Sequence, residues 1–144
     1  MKLKICGMKE EKNIKSIATL DPDYMGFIFW KDSPRNISIK IPELKKKIKK
    51  TGVFINSNIK QILKIIEEEN LQAVQLHGDE TPEFCSKLNK LESVEVIKVF
   101  NISNSFNFSK LKLFEDSCDF FLFDTKGKLP GGNGLVFDWS ILKN

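Results

Sequence analysis

Arginine is almost missing from this chain: 22 of its 23 basic residues are lysine, and only Arg35 carries a guanidinium. Histidine occurs once, at His77, and cysteine three times, at Cys6, Cys85 and Cys118, with no CxxC spacing. An odd number of scattered thiols speaks against a disulfide framework or a zinc site, and a reducing cytosol is the expected compartment. A lone histidine without a carboxylate cluster beside it makes a metal centre a poor reading. No apolar run approaches the roughly 20 residues that cross a bilayer. The first residues, Met1-Lys-Leu-Lys-Ile-Cys6, hold no apolar stretch of signal-peptide length. With 8 Gly and 5 Pro against 41% hydrophobic and 29% charged residues, collagen-like, low-complexity and charge-driven disordered classes are excluded. The glycine-rich run Gly131-Gly-Asn-Gly134 has neither a Walker lysine-serine ending nor a GxGxxG pattern, so it is no nucleotide signature.

What is present is a chain of 144 residues, the size of one domain, with a net charge of +4 spread among acidic residues. The densest basic run, Lys45-Lys-Lys-Ile-Lys-Lys50, is expected on the solvated end of a helix over 41–50, where cations suit the dipole. No aromatics interleave with it, so no platform for nucleic acid is indicated, and no membrane partner is expected. The lone Arg35 is more informative. A guanidinium grips a carboxylate or phosphate with a planar fork that an ammonium lacks, so an arginine in a lysine-rich chain marks a place where lysine will not serve. The competing reading is a surface ion pair.

Short apolar runs alternate with amphipathic stretches. Strands are expected at residues 3–6, 24–29, 52–56, 73–77, 94–100 and 119–124. Helices are expected over 10–20, over 41–50 with Pro42 near its start, over 58–70 with Asn58 as N-cap, over 81–91 with Thr81 as N-cap, over 108–117, and from 137 onward. Strand followed by helix, repeated, means a parallel sheet covered by helices, and the continuously apolar strands agree. An open doubly wound sheet and a (β/α)8 barrel compete. Pattern alone favours the open sheet, because six strands cannot complete an eight-stranded barrel.

Parallel α/β folds carry their chemistry at the C-terminal ends of the strands. Cys6 stands at such an end, either as a nucleophile or proton acceptor or as a buried structural thiol. Gly7 beside it lets the backbone approach a ligand closely. Asp124 closes a strand rich in Phe, where its pKa could rise and let it donate a proton; a turn or capping role is the alternative. His77 reads equally as a general base or as a hydrogen-bonded structural residue. The loop containing Gly131 and Gly132 reads as mobile and able to close over a ligand.

Taken in order along the chain, these signals resemble the phosphoribosylanthranilate isomerase family of tryptophan biosynthesis. The matching segments are Lys4-Ile-Cys-Gly-Met8, Gly26-Phe-Ile-Phe29, Ser33-Pro-Arg35, Gly52-Val-Phe-Ile-Asn56, Val74-Gln-Leu-His-Gly-Asp-Glu80, Leu122-Phe-Asp124, and Gly131-Gly-Asn-Gly134 followed by Phe137-Asp-Trp139. The resemblance implies a (β/α)8 TIM barrel, here as one domain over residues 1–144 shortened to about six βα units. It implies an Amadori rearrangement, in which N-(5-phosphoribosyl)anthranilate becomes 1-(2-carboxyphenylamino)-1-deoxyribulose 5-phosphate. An acid opens the furanose ring and a base removes the C2′ proton; these roles fall on Asp124 and Cys6. Arg35 falls on the residue that holds the anthranilate carboxylate, with His77, Gly7, Gly131 and Gly132 at the substrate. No metal or organic cofactor is implied.

Asn133 stands where the family has Thr, a mild polar change. The family's last two βα units, whose loops commonly bind phosphate in barrels of this kind, have no counterpart in the 144 residues. A shortened isomerase of low stability alone, or one closed by another chain through its open sheet edges, is therefore expected. The alternatives are a catalytically impaired remnant with at most ligand binding, and an open flavodoxin-like module that binds a flavin or nucleotide.

Overall fold

The computed structural model describes residues 1–91, 93–103, 105–127 and 134–143. Six parallel strands run through them: β1 (Lys4–Cys6), β2 (Tyr24–Ile28), β3 (Lys49–Phe54), β4 (Ala73–Leu76), β5 (Glu95–Ile102) and β6 (Phe120–Thr125). They pair in chain order, β1 to β6, without a reversal. A doubly wound sheet must reverse its order at a switch point. The monotonic order is that of a barrel wall, so the preference for an open sheet drawn from pattern alone is corrected and the (β/α)8 expectation, as a curled half-barrel, holds. Three helices cross between neighbours: α1 (Glu11–Ala18), α2 (Ile59–Glu69) and α3 (Pro82–Leu91). Among the described residues no helix is long and apolar enough to cross a membrane.

The strands alternate their side chains between two buried faces. On the outer face Met25, Phe27, Phe54, Val74, Leu76 and Val96 pack with Ile14 of α1, Ile62 and Ile66 of α2, and Cys85 and Leu88 of α3. On the inner face Tyr24, Ala73, Ile97 and Leu122 form a second, smaller cluster. Burial on both sides explains the apolar character of β2 and β4, which only Gln75, turned to the inner face, interrupts. At the N-terminal end of the interior, Glu95 accepts the Tyr24 hydroxyl at 2.8 Å and pairs with Lys49. Burial, helped by the Glu95 bond, pushes the Tyr24 phenol up to about 12, so it stays a neutral donor. This polar cluster sits at the end opposite to the working one.

Both N-caps read from the sequence are formed. Asn58 Oδ1 accepts from Gln61 N at 3.0 Å, and Thr81 Oγ1 from Phe84 N at 3.2 Å. The basic helix over 41–50 does not form. Residues 41–45 are irregular, Lys46 and Lys47 turn, and Lys49 and Lys50 belong to β3. Five lysines in six positions would stack like charges at i,i+4 in a helix. The extended path instead lets Lys45 and Lys47 clasp Asp21, each at 2.8 Å, while Ile41 and Ile48 stay buried. The lysine run is therefore not a solvated helix face. Residues 108–117 likewise form no α-helix but a 3-10 helix (Phe108–Leu113) and turns. Phe114 is drawn edge-on to Phe100 at 5.2 Å, and its amide bonds Leu111 O at i−3, so the segment winds more tightly than an α-helix. The last element is a short 3-10 helix, Trp139–Lys143.

Candidate active site

The inner-face residues at the C-terminal ends of the strands surround a cavity of about 600 Å³. Cys6 comes from β1, Ile28 from β2, Val53 from β3, Gln75 from β4, and Leu122 and Asp124 from β6. Ile55 and His77 extend β3 and β4 in the same alternation. The segment after β2 supplies Trp30, Ser33 and Arg35. The walls are thus largely apolar, with a thiol, two carboxylates, an ammonium, an imidazole and a guanidinium among them, the usual make-up of a small-molecule site.

The thiol owes its seat to a glycine. Cys6 pairs in register with Gly26 on β2. A Cβ on Gly26 would stand 2.5 Å from Cys6 Sγ and 2.8 Å from Lys4 Nζ, so the hydrogen in its place is what admits both groups. Gly26→Ala should therefore displace the sulfur and, in an active assembly, lower kcat by roughly 100-fold, the cost of misplacing a reacting group by about 1 Å. Steady-state kinetics on that variant, beside a melting curve, checks this; an unchanged kcat would contradict it. Gly7 plays a similar part for Arg35. Its φ of +85° suits glycine, and a Cβ there would meet the guanidinium at 2.7 Å. Gly7 is not on the cavity wall but underlies Arg35, so its contribution to binding is through the guanidinium.

His77 and Asp124 meet across the cavity from two strands that are not neighbours. His77 Nε2 lies 3.3 Å from Asp124 Oδ2, within ion-pair range, yet that nitrogen has no formed hydrogen bond. The other carboxylate oxygen accepts the Thr125 amide at 2.9 Å, and His77 Nδ1 is 3.4 Å from Gln75 Nε2. Burial pushes the His77 ring below its ordinary 6.5, and the nearby Lys98 charge helps, while the Asp124 carboxylate works against them. The imidazole is therefore neutral at pH 7. The folded state resists a proton that the unfolded chain accepts near pH 6.5. The stability this contributes is fully present above that pH and is lost as pH falls through and below it. The urea midpoint should thus drop between pH 7.5 and 5.5, and less steeply in His77→Asn.

The turn carrying His77 is held from beneath. Glu80 accepts the amides of Asn56 at 2.9 Å and Gly78 at 3.0 Å, and Asn56 Oδ1 accepts that of Asp79 at 2.7 Å. Lys98, on the outer face of β5, meets Glu80 at 2.9 Å and the Gly78 carbonyl at 2.6 Å. Both charges are buried.

Of the residues singled out from the sequence, Cys6, Arg35, His77 and Asp124 line the one cavity. Gly131 and Gly132 lie outside the described residues. Lys4, Trp30 and Gln75 were missed as site residues. The signal for them was the period-two spacing that places Lys4 with Cys6, Gln75 with His77, and Trp30 with Ile28. Among the described residues no three His, Cys, Asp or Glu side chains gather as metal ligands.

Fold and site together define a parallel α/β barrel-type protein with its reactive groups at the C-terminal strand ends. The family model for N-(5′-phosphoribosyl)anthranilate (PRA) isomerase matches residues 3–144. Curated enzymes named N-(5′-phosphoribosyl)anthranilate isomerase from Phocaeicola vulgatus and Campylobacter jejuni are 42% and 41% identical to it, each over 99% of this chain and over 69% and 71% of their own length. The crystal structure of the phosphoribosyl anthranilate isomerase from Thermotoga maritima superposes with a TM-score of 0.77 at 31% identity, over 99% of this chain and 70% of that one. A second structure, with a TM-score of 0.74, 29% identity and coverage of 99% and 69%, holds such an isomerase in complex with reduced 1-(o-carboxyphenylamino)-1-deoxyribulose 5-phosphate. The chain belongs to the phosphoribosylanthranilate isomerase family, and it spans about two thirds of the length of the relatives it matches.

Proposed function

We propose that this chain carries the isomerase site of its family and converts N-(5-phosphoribosyl)anthranilate to 1-(2-carboxyphenylamino)-1-deoxyribulose 5-phosphate in cytoplasmic tryptophan biosynthesis. The convergence of Cys6, Asp124 and Arg35 on one cavity is the observation that supports this most. Asp124 protonates the ribose ring oxygen and opens the ring to an iminium. Cys6, as thiolate, removes the C2′ proton, and the enol-amine formed passes to the ketose. Two separately placed proton-transfer groups are what this rearrangement needs. Arg35, propped by Gly7, holds the anthranilate carboxylate in its planar fork. Trp30, Ile28, Val53 and Ile55 supply the apolar wall against which the aromatic ring lies.

Among the described residues β1 and β6 are each paired on one side only, so their edges are where a second chain would join the sheet. The decisive experiment follows conversion of phosphoribosylanthranilate by the purified chain. Turnover supports the reading. Binding of the reduced product analogue without turnover would reduce it to a ligand-binding remnant, and neither would overturn it.

A further inference from the structure

Two charged side chains on the cavity wall, Lys4 and Asp32, have no role in the proposal above, and Lys4 is the one that shares a seat with the thiol. Lys4 precedes Cys6 by two residues on β1 and faces the same interior. Its Nζ and Cys6 Sγ both sit over Gly26, within 2.8 and 2.5 Å of the point its Cβ would occupy, so ammonium and sulfur flank the same spot. Of the other lysines withdrawn into the fold, Lys49 pairs with Glu95 and Lys98 with Glu80 and two carbonyls, whereas Lys50 is buried off the cavity wall. Lys4 is half-buried, yet among the described residues its ammonium has no ion-pair carboxylate and no hydrogen-bond acceptor. A charge drawn partly out of water without a partner is unfavourable unless a ligand supplies one.

We propose that Lys4 donates a hydrogen bond to the oxygen on C2′ of the substrate. The inference rests on the isomerase reading and adds a group to the same site. A base that removes the C2′ proton must come within about 3–3.5 Å of that carbon. The C2′ oxygen is one bond further on, so a donor packed beside the sulfur reaches it. The chemistry places charge there. When Cys6 takes the C2′ proton, the C–H electron pair becomes the C1′–C2′ double bond, and the iminium π pair moves onto nitrogen. The enol hydroxyl on C2′ then gives its proton to the Asp124 carboxylate, and Cys6 returns its own at C1′. The C2′ ketone forms and both residues regain their starting forms. Electron density rises on the C2′ oxygen as its proton leaves, and a fixed ammonium stabilises that oxygen without itself losing a proton.

The test compares the wild-type chain with Lys4→Met and Lys4→Arg. Affinity is measured calorimetrically for two probes: the reduced product analogue, which carries an oxygen on C2′, and anthranilate, which has no sugar. Lys4→Met should weaken the analogue roughly 10- to 100-fold, the weight of one charge-assisted hydrogen bond, and leave anthranilate unchanged. Lys4→Arg, which keeps a donor and the charge, should restore part of the loss. In kinetics Lys4→Met should lower kcat more than it raises KM, because the oxygen is most electron-rich past the ground state. Equal analogue affinity in wild type and Lys4→Met overturns the proposal. So does an equal loss of both probes, which would make the lysine a support of the pocket. A wild-type chain that binds neither probe overturns the isomerase reading and the Lys4 role together, an outcome separate from the other two.

Discussion

Cys6→Ala and Asp124→Asn should each lower kcat for phosphoribosylanthranilate by roughly 100- to 10,000-fold, with KM changed far less. That range is what one positioned proton-transfer group contributes. The two substitutions remove different steps. Asp124→Asn keeps the size of the side chain and its acceptor oxygen for the Thr125 amide but cannot protonate the ring oxygen. Cys6→Ala leaves ring opening possible and removes the acceptor for the C2′ proton. Because the steps occur in series on one substrate, the double variant should be little worse than the poorer single one, since groups acting as a unit are not additive. Arg35→Met should behave in the opposite way and chiefly raise KM, because it holds a carboxylate that does not change during the reaction. Steady-state kinetics on the four variants separates these patterns. Equal kcat in Cys6→Ala and wild type would remove the thiol from the reaction.

The groups at the strand ends were legible because a parallel sheet has one working end. Cys6, His77 and Asp124 stand at the C-terminal ends of their strands, but β1 and β6 are the two edges of the sheet, so the meeting of Cys6 and Asp124 in one cavity also needs the sheet to curl as a barrel wall does. Arg35 was legible through scarcity. Lys4 was not: a lysine near a chain start, in a chain with 22 of them, reads as solvated until the register shows it pointing inward beside Cys6. The strand order was the hardest step. The βα pattern alone is compatible with both open sheet and barrel, and only the unreversed pairing from β1 to β6 separates them. The misread helix over 41–50 has a local cause. Ile41, Leu44 and Ile48 have helical spacing, and the same spacing serves an irregular segment that pins its ends to the core. What decides between the two is the reach of Lys45 and Lys47 to Asp21 and of Lys49 to Glu95, which are tertiary contacts.

Lys98→Met should destabilise the fold by about 3–5 kcal/mol, the expected range for breaking a buried ion pair from one side. Neither Lys98 nor Glu80 stood out in the sequence, because 18 residues separate them and nothing local announces that they meet. Lys98 Nζ lies 2.9 Å from Glu80 Oε2, and both side chains are almost wholly excluded from water. Losing the ammonium leaves the Glu80 carboxylate buried with only the Asn56 and Gly78 amides to face it. It also releases the Gly78 carbonyl, so the turn that carries His77 loses two of its ties at once. Glu80→Gln should cost less than Lys98→Met, since its amide oxygen can still accept the backbone N–H groups, although the ammonium then lacks a counter-charge. The double variant Lys98→Met/Glu80→Gln should fall well short of the sum, by about 1–3 kcal/mol, because each substitution removes the charge that the other strands. Urea unfolding of the three variants measures this cycle, and a cost below about 1 kcal/mol for Lys98→Met would show that water reaches the pair in solution. The site should respond as well. Loosening the 77–80 turn frees the imidazole from its place beside Asp124, so Lys98→Met should blunt the fall in stability between pH 7.5 and 5.5 that a buried neutral His77 produces in the wild type.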